Sequence, residues 1–419
     1  MSIDDVDSAV SRVSGAFGVE PGRFAIRNAT RIDARGVLAH SWAVAVDGAI
    51  AAVGSRDGEF ASACRAAGID PQDAGSVTDA RGMALVPGYV DIHAHGSWGC
   101  SFDDGVRGAE TARDGHLWHG TTRQVLSLIT NPLDVMRGNI ANVRRLMTGR
   151  PDCLGVHLEG PFLAPSRKGA HDPACLRDPE DGYVQGLLDA ADGCIRQITI
   201  APELPQGIRA IRAFADAGVI PAVGHTDADY ETTRRAFNAG AGILTHIYNA
   251  MNGIRHRAPG PIPAALEDPR VSVELINDGF HVQDPCVRLA FALFPDRICL
   301  VTDAMEATGC PDGAYRLGSL DVTVSGGHAR LVSNGAIAGS TLTLETAVCR
   351  AVLDLGLSPV QAVASATLHP AHALGLDRPN PVTGSPLGLV SPGYAADMLL
   401  VDRSDWSVRS VWSCGRRIR

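Results

Sequence analysis

The chain has 419 residues, 45% hydrophobic and 20% charged, which is enough apolar material for extended cores and excludes bulk disorder. A net charge of −9 argues against phosphate-backbone binding, so no nucleic acid partner is expected. No stretch approaches the roughly 18 apolar residues of a spanning helix, and the acidic start MSIDDVDSAV lacks the apolar run of a signal peptide. No membrane is therefore expected. Ten scattered cysteines without a CxxC pair agree with a reducing compartment, so a cytoplasmic location is expected. Of the 37 basic residues all but Lys168 are arginine. The arginine excess reads as compositional bias; the lysine scarcity constrains the chemistry.

At roughly 150 residues per domain the length predicts two or three domains. Residues 23–85 read as short strands: FAIRNATRID, then WAVAVDGAIAAVG with a DG turn, then VTDARGMALVPG. Residues 86–380 alternate short apolar runs with amphipathic helical stretches. Eight runs read as strands: YVDIHAH, TRQVLSLIT, CLGVHLEG, RQITIAPE, VIPAVGHT, AGILTHI, VSVELINDG and RICLVTDA. Between them lie helices such as DVMRGNIANVRRLM and ETTRRAFNAGA. Residues 381–419 return to β character. The pattern predicts an α/β chain: a (β/α)8 TIM-like barrel with a small β-sandwich domain built from both termini. In such a barrel the active site lies at the C-terminal strand ends.

Those ends carry the chemistry. His93 and His95, Thr130, Glu159, Glu203, His225, His246, Asp278 and Asp303 close successive strands. Each taken singly also reads as polarity resuming where a strand stops; their joint placement favours function. His93 and His95, two residues apart on a strand, share one face and can approach one ion. His157 and Glu159 alternate in the same way, with Glu159 nearer the mouth as a carboxylate ligand and His157 a partner behind it. Imidazoles with a carboxylate suit zinc or another first-row divalent ion. Glu159, His225 and His246 leave room for water, and Asp303 is placed to act as general base. Metal-dependent hydrolysis is the expectation.

Barrel hydrolases that bridge two metals through a carboxylated lysine carry it at the end of the fourth strand. Here that strand ends Ala201-Pro202-Glu203, and the chain's one lysine lies in a loop. That bridge is excluded, and Glu159 has to be the acidic ligand. Beyond the sixth strand, Arg255-His256-Arg257 forms a basic loop. Asn277-Asp278-Gly279-Phe280-His281 follows the seventh. Guanidinium forks match phosphate or carboxylate, and solvated surface is the plain alternative.

From about residue 24 to the C-terminus the chain resembles the N-acetylglucosamine-6-phosphate deacetylases of the amidohydrolase superfamily. The resemblance rests on PGYVDIHAHG, GVHLEGPFLAPSRKGAH, APE, VGHTDADY, THIYNAMNGIRHRAPGP, NDGFHV, VTDAMEATG, AIAGSTLTL and ATLHPAHALGL. It implies hydrolysis of the acetamide of N-acetylglucosamine 6-phosphate to glucosamine 6-phosphate and acetate, in amino-sugar catabolism and cell-wall sugar recycling. It further implies Glu159, His225 and His246 as primary metal ligands and Asp303 as the acid/base, with His171 polarising the acetyl carbonyl. Substrate contacts fall on Ala170, His171, Asn249, Ala250, Asp278, His281 and Ile337, Ala338 and Gly339. Arg257 is implied to bind phosphate across a homodimer interface. One divalent metal is implied, zinc first with iron, cobalt or manganese as alternatives; retention of His93 and His95 allows a second. Three alternatives stay open: the galacto epimer as substrate, a nucleobase deaminase or cyclic amidase, and an inactive sugar-phosphate-binding relative.

Overall fold

The computed structural model describes residue 13 and residues 15–419. The first segment forms β1 (Phe24–Asp33), β2 (Gly36–Val46), β3 (Ala49–Gly54), β4 (Val77–Asp79) and β5 (Ala84–Pro87). The DG turn lies where the sequence placed it: Asp47 and Gly48 take φ of 50° and 87°, the left-handed pair that a two-residue hairpin needs. β5 pairs with β1 on one side, and Gly88 then turns the chain into the barrel. A Cβ at Gly88 would run into the Thr122 side chain, so the crossing admits only glycine without rearrangement.

Eight parallel strands follow: β6 (Tyr89–Asp91), then, after a short hairpin of β7 (Gly96–Ser97) and β8 (Cys100–Ser101), β9 (Thr121–Ile129), β10 (Cys153–Glu159), β11 (Ile195–Ile200), β12 (Ile220–Val223), β13 (Ile243–Leu244), β14 (Ser272–Ile276) and β15 (Ile298–Val301). They pair in the order β15-β14-β13-β12-β11-β10-β9-β6. All eight coincide with the predicted runs. β9 and β10 are buried throughout, as strands covered on both faces must be. Two hydrogen bonds close the seam between the last strand and the first: Asp303 N to His93 O at 2.8 Å and His95 N to Ala304 O at 2.7 Å. The seam thus runs through the residues expected to do chemistry.

The covering helices are amphipathic. Leu133–Met147 buries Met136, Ile140, Val143 and Leu146, one stripe at helical spacing. Tyr230–Asn238 is capped by Asp229, whose carboxylate accepts from Thr232 N at 2.8 Å.

One element lies outside the sequence expectation. After β15 the chain builds a three-stranded antiparallel sheet of β16 (Gly313–Leu317), β17 (Leu320–Ser325) and β18 (His328–Leu331). Its inner face packs Leu317, Val322, Val324 and Leu331 against Ile129, Ala170 and Met305 beside the barrel mouth. The chain finally returns to the first domain through β19 (Met398–Val401), β20 (Val408–Ser413) and β21 (Arg416–Arg417). β19 adds to β5, so both termini share one continuous sheet. That sheet folds over itself: Phe24 of β1 stacks on Trp412 of β20 with ring centroids 5.5 Å apart. A separate apolar core fills the fold.

Candidate metal centre and active site

Glu159 ends β10 and is the hub of the mouth. Its Oε1 lies 3.3 Å from His93 Nε2, 3.1 Å from His225 Nε2 and 3.3 Å from His246 Nε2. Its Oε2 lies 3.0 Å from His95 Nε2 and 3.3 Å from His171 Nε2. Burial alone would raise this carboxyl, but the surrounding imidazoles, His93 and His171 foremost, hold its pKa well below the ordinary value. Asp303 faces the same volume, with Oδ1 3.5 Å from His95 Nε2 and 3.7 Å from His93 Nε2.

Two groups of donors converge closely enough for an ion: Glu159 with His225 and His246, and His93, His95, Glu159 and Asp303. The donor chemistry fits. His225 Nδ1 donates to Arg167 O at 2.8 Å, so in the neutral ring the lone pair sits on Nε2, the atom facing Glu159 and His246. Glu159 belongs to both groups and could bridge two ions.

A cavity of about 360 Å³ opens above these groups. Its lining includes the expected His95, Glu159, Ala170, His171, His225, His246, Asn249, Ala250, His281, Asp303, Ile337 and Gly339. The other expected residues lie elsewhere. His93 is fully buried beneath the cavity, and Ala338 is buried in the core of the added sheet. Asp278 acts one step back: its carboxylate accepts from His281 Nδ1 at 2.6 Å and from the backbone N–H of Phe280 and His281. Arg257 does not line the cavity and is exposed on its loop.

The comparisons with known proteins agree with this arrangement. The pattern of the Amidohydrolase family matches residues 84–417. An N-acetylgalactosamine-6-phosphate deacetylase of Escherichia coli O157:H7 is 36% identical over 81% of this chain and 89% of its own length. An N-acetylglucosamine-6-phosphate deacetylase of Vibrio furnissii is 35% identical over 80% of this chain and 82% of its own. Among solved structures, a variant of the N-acetyl-D-glucosamine-6-phosphate deacetylase from Mycobacterium smegmatis, in complex with N-acetyl-D-glucosamine-6-phosphate, superposes with a TM-score of 0.83. It is 37% identical over 95% of this chain and 99% of that one. The chain belongs to the N-acetylglucosamine-6-phosphate deacetylase group of the amidohydrolase family.

Around the site of this amidohydrolase stand further residues that sequence reasoning missed. Glu274, fully buried on β14, accepts from His93 Nδ1 at 2.9 Å and His246 N at 3.2 Å through Oε2, and from Gln197 at 2.6 Å through Oε1. Burial opposes charge on His93, yet Glu159 and Glu274 together raise its pKa well above the ordinary histidine value. The one signal for Glu274 was an acid flanked by Val273 and Leu275 inside a buried strand. Thr130 donates to Glu159 O at 2.9 Å and so accepts from His171 Nδ1 at 2.9 Å, which turns His171 Nε2 towards Glu159. Burial pushes His171 down to about 4. Arg167 braces the mouth: its guanidinium reaches Asp227 at 2.5 Å and Asn252 at 2.6 Å while its carbonyl fixes His225. His157 makes no hydrogen bond to Glu159 and stands edge-on behind His93, ring centroids 4.5 Å apart. It lies buried between Ser127 and Thr199, each 2.9 Å away.

Proposed function

We propose that this protein hydrolyses the acetamide of N-acetylglucosamine 6-phosphate, giving glucosamine 6-phosphate and acetate, with a divalent ion on Glu159, His225 and His246. The observation that carries the reading is one carboxylate oxygen within 3.3 Å of three imidazole Nε2 atoms, with Asp303 facing the same volume. Zinc is the first choice of ion from the donor set, with iron, cobalt and manganese as alternatives, and His93 with His95 supports a second ion bridged by Glu159. Bound there, the ion supplies Lewis acidity towards the acetyl carbonyl and towards water.

The protein's own groups do the rest. Asp303 takes the proton of the attacking water and returns it to the departing amine. His171, turned by Thr130, places Nε2 beside the acetyl carbonyl, where it holds the developing negative oxygen only when that nitrogen carries a proton. His281, held by Asp278 through Nδ1, presents its other nitrogen to the 6-phosphate. Backbone groups of Asn249 and Ala250, both in the cavity lining, position the sugar. Arg257, exposed on its own subunit, binds the phosphate of the partner's substrate in a homodimer. A cytoplasmic location is supported by ten free cysteines. Among the described residues no helix is long and apolar enough to cross a membrane.

The relative from Escherichia coli O157:H7, named for the galacto epimer, favours one second reading: N-acetylgalactosamine 6-phosphate as substrate. Both questions go to one assay. Metal-stripped protein is reloaded with zinc, iron, cobalt or manganese, and acetate release is measured from each epimer, phosphorylated and not. Release from neither phosphorylated epimer with any ion refutes the proposal; preference for the unphosphorylated sugar refutes the phosphate site.

A further inference from the structure

The cavity has two chemically distinct sides. Its carboxylates and imidazoles come from the barrel strand ends and the loops that follow them, whereas its apolar side chains are Leu317, Ala336, Ile337, Ala250 and, beside His171, Ala170. Three of these five belong to one body. Beyond β18 the chain doubles back, with Leu331 N donating to Ala336 O at 2.8 Å and Ala338 N to Ala329 O at 3.2 Å. Residues 336–338 thus form a strap along the added sheet. The strap ends at Ser340, whose N–H donates to Asp303 O at 2.7 Å. The apolar wall is therefore tied to the backbone of the proposed general base.

The two turns of the added sheet contact the chain beside two different residues of the cavity lining, His171 and His281. At the β16–β17 turn, Ser319 Oγ donates to Asp172 at 2.8 Å, next to His171. At the β17–β18 turn, His328 stacks on Phe280 at 4.0 Å, next to His281. The first turn stands where the acyl group reacts and the second where phosphate binds. Leu317 ends β16 at the reacting end, is 6% exposed, and packs with Ala170, Ile129 and Met305.

We infer that Leu317 forms the end wall of the acyl pocket and restricts this enzyme to short N-acyl groups. The inference rests on the deacetylase reading above and adds which part of the substrate the added sheet measures. An acyl group with its carbonyl beside His171 and Asp303 directs its alkyl end at the apolar wall, and close-packed surroundings leave that wall no room to recede. For every acyl length the chemistry is the same: the C–N bond breaks, the water oxygen joins the acyl carbon, and the amine and a carboxylate leave. Chain length changes only the fit.

The test compares wild type, Leu317→Ala and Leu317→Val on the N-acetyl, N-propanoyl and N-butanoyl derivatives of glucosamine 6-phosphate. Wild type is expected to fall with each added methylene. Leu317→Ala should raise the ratio of butanoyl to acetyl kcat/KM by about 10-fold or more, the scale at which a methylene-sized pocket discriminates. Leu317→Val, a smaller truncation that keeps the sheet packed, should shift the propanoyl ratio in the same direction. Unchanged ratios in either folded variant, with wild type active on the acetyl substrate, overturn the inference and leave the deacetylase reading standing. A wild type that releases no acid from any derivative overturns both.

Discussion

His225 and His246 hold their Nε2 atoms 3.0 Å apart, closer to one another than either is to Glu159 Oε1. His225 already donates its Nδ1 proton to Arg167 O, so a proton shared between the two Nε2 atoms has to come from His246. A cation there takes the place of that proton. In a neutral ring that proton moves to His246 Nδ1, which has no hydrogen-bond partner among the described residues, so net release comes only from rings protonated beforehand; affinity should still rise with pH, because imidazole ligands bind in their neutral form. Calorimetric titration with zinc at several pH values, in buffers of different ionisation enthalpy, measures both affinity and release; an affinity that does not rise with pH would argue that imidazoles do not hold the ion.

The same ion should stabilise the fold. A ligand at 100 times its Kd adds about 2.7 kcal/mol, so a chelator should lower Tm and a divalent ion should restore it. Glu159→Gln keeps the shape of the hub but loses its charge, and its Tm should no longer respond to chelator or ion. A variant that still responds like wild type would move the metal elsewhere.

Glu274 should matter through the orientation and charge of His93, without touching substrate. Glutamine cannot accept from both His93 Nδ1 and His246 N on one oxygen while also receiving Gln197, since one end of its amide only donates. Losing an outer partner of this kind costs about 10–100-fold in metal affinity or activity. Glu274→Gln should therefore show that loss with KM for the sugar phosphate little changed, read from kcat and KM at saturating ion. A rise in KM alone would place Glu274 on the substrate side.

Asp303→Asn should separate chemistry from binding. The amide cannot accept the water proton, and general base catalysis contributes about 10²–10⁴-fold, so kcat should fall by that order while substrate still binds. Equilibrium binding of N-acetylglucosamine 6-phosphate to the variant supplies the second reading. Activity near wild type would remove Asp303 from the proton path.

These roles differ in how far the sequence discloses them. The barrel strands are legible because parallel strands buried on both faces read as unbroken apolar runs, and each stops at a polar residue such as Glu159 or His225. The strands of the added sheet are not, although LDVTVS alternates, because its buried face packs on Ile129 and Ala170, well over a hundred residues away in the chain. Glu274 is hidden for the same reason: its partner His93 is 181 residues distant. Arg257 is legible as a basic residue on a mouth loop, but within one subunit it faces solvent.

At the opposite, N-terminal end of the barrel the chain has a charged device that serves stability instead. Asp152, just before β10, is fully buried, receives Arg150 Nε at 2.9 Å and forms an ion pair with Arg113 Nε at 3.0 Å. Burial would raise its carboxyl, but the two guanidinium groups, Arg150 ahead of Arg113, outweigh burial and lower the pKa. A carboxyl with a depressed folded value stabilises above its unfolded pKa of about 3.9, and that stability is lost as pH falls through the folded value. Asp152→Asn removes the carboxylate paired with Arg113 and one of the two buried carboxylates on Arg150, which keeps Asp114 at 2.7 Å, and should cost about 3–5 kcal/mol at pH 7. With the titrating group gone, Tm of the variant should fall less steeply than that of wild type between pH 5 and the acid limit. Parallel Tm profiles would show that Asp152 carries no pH-dependent stability.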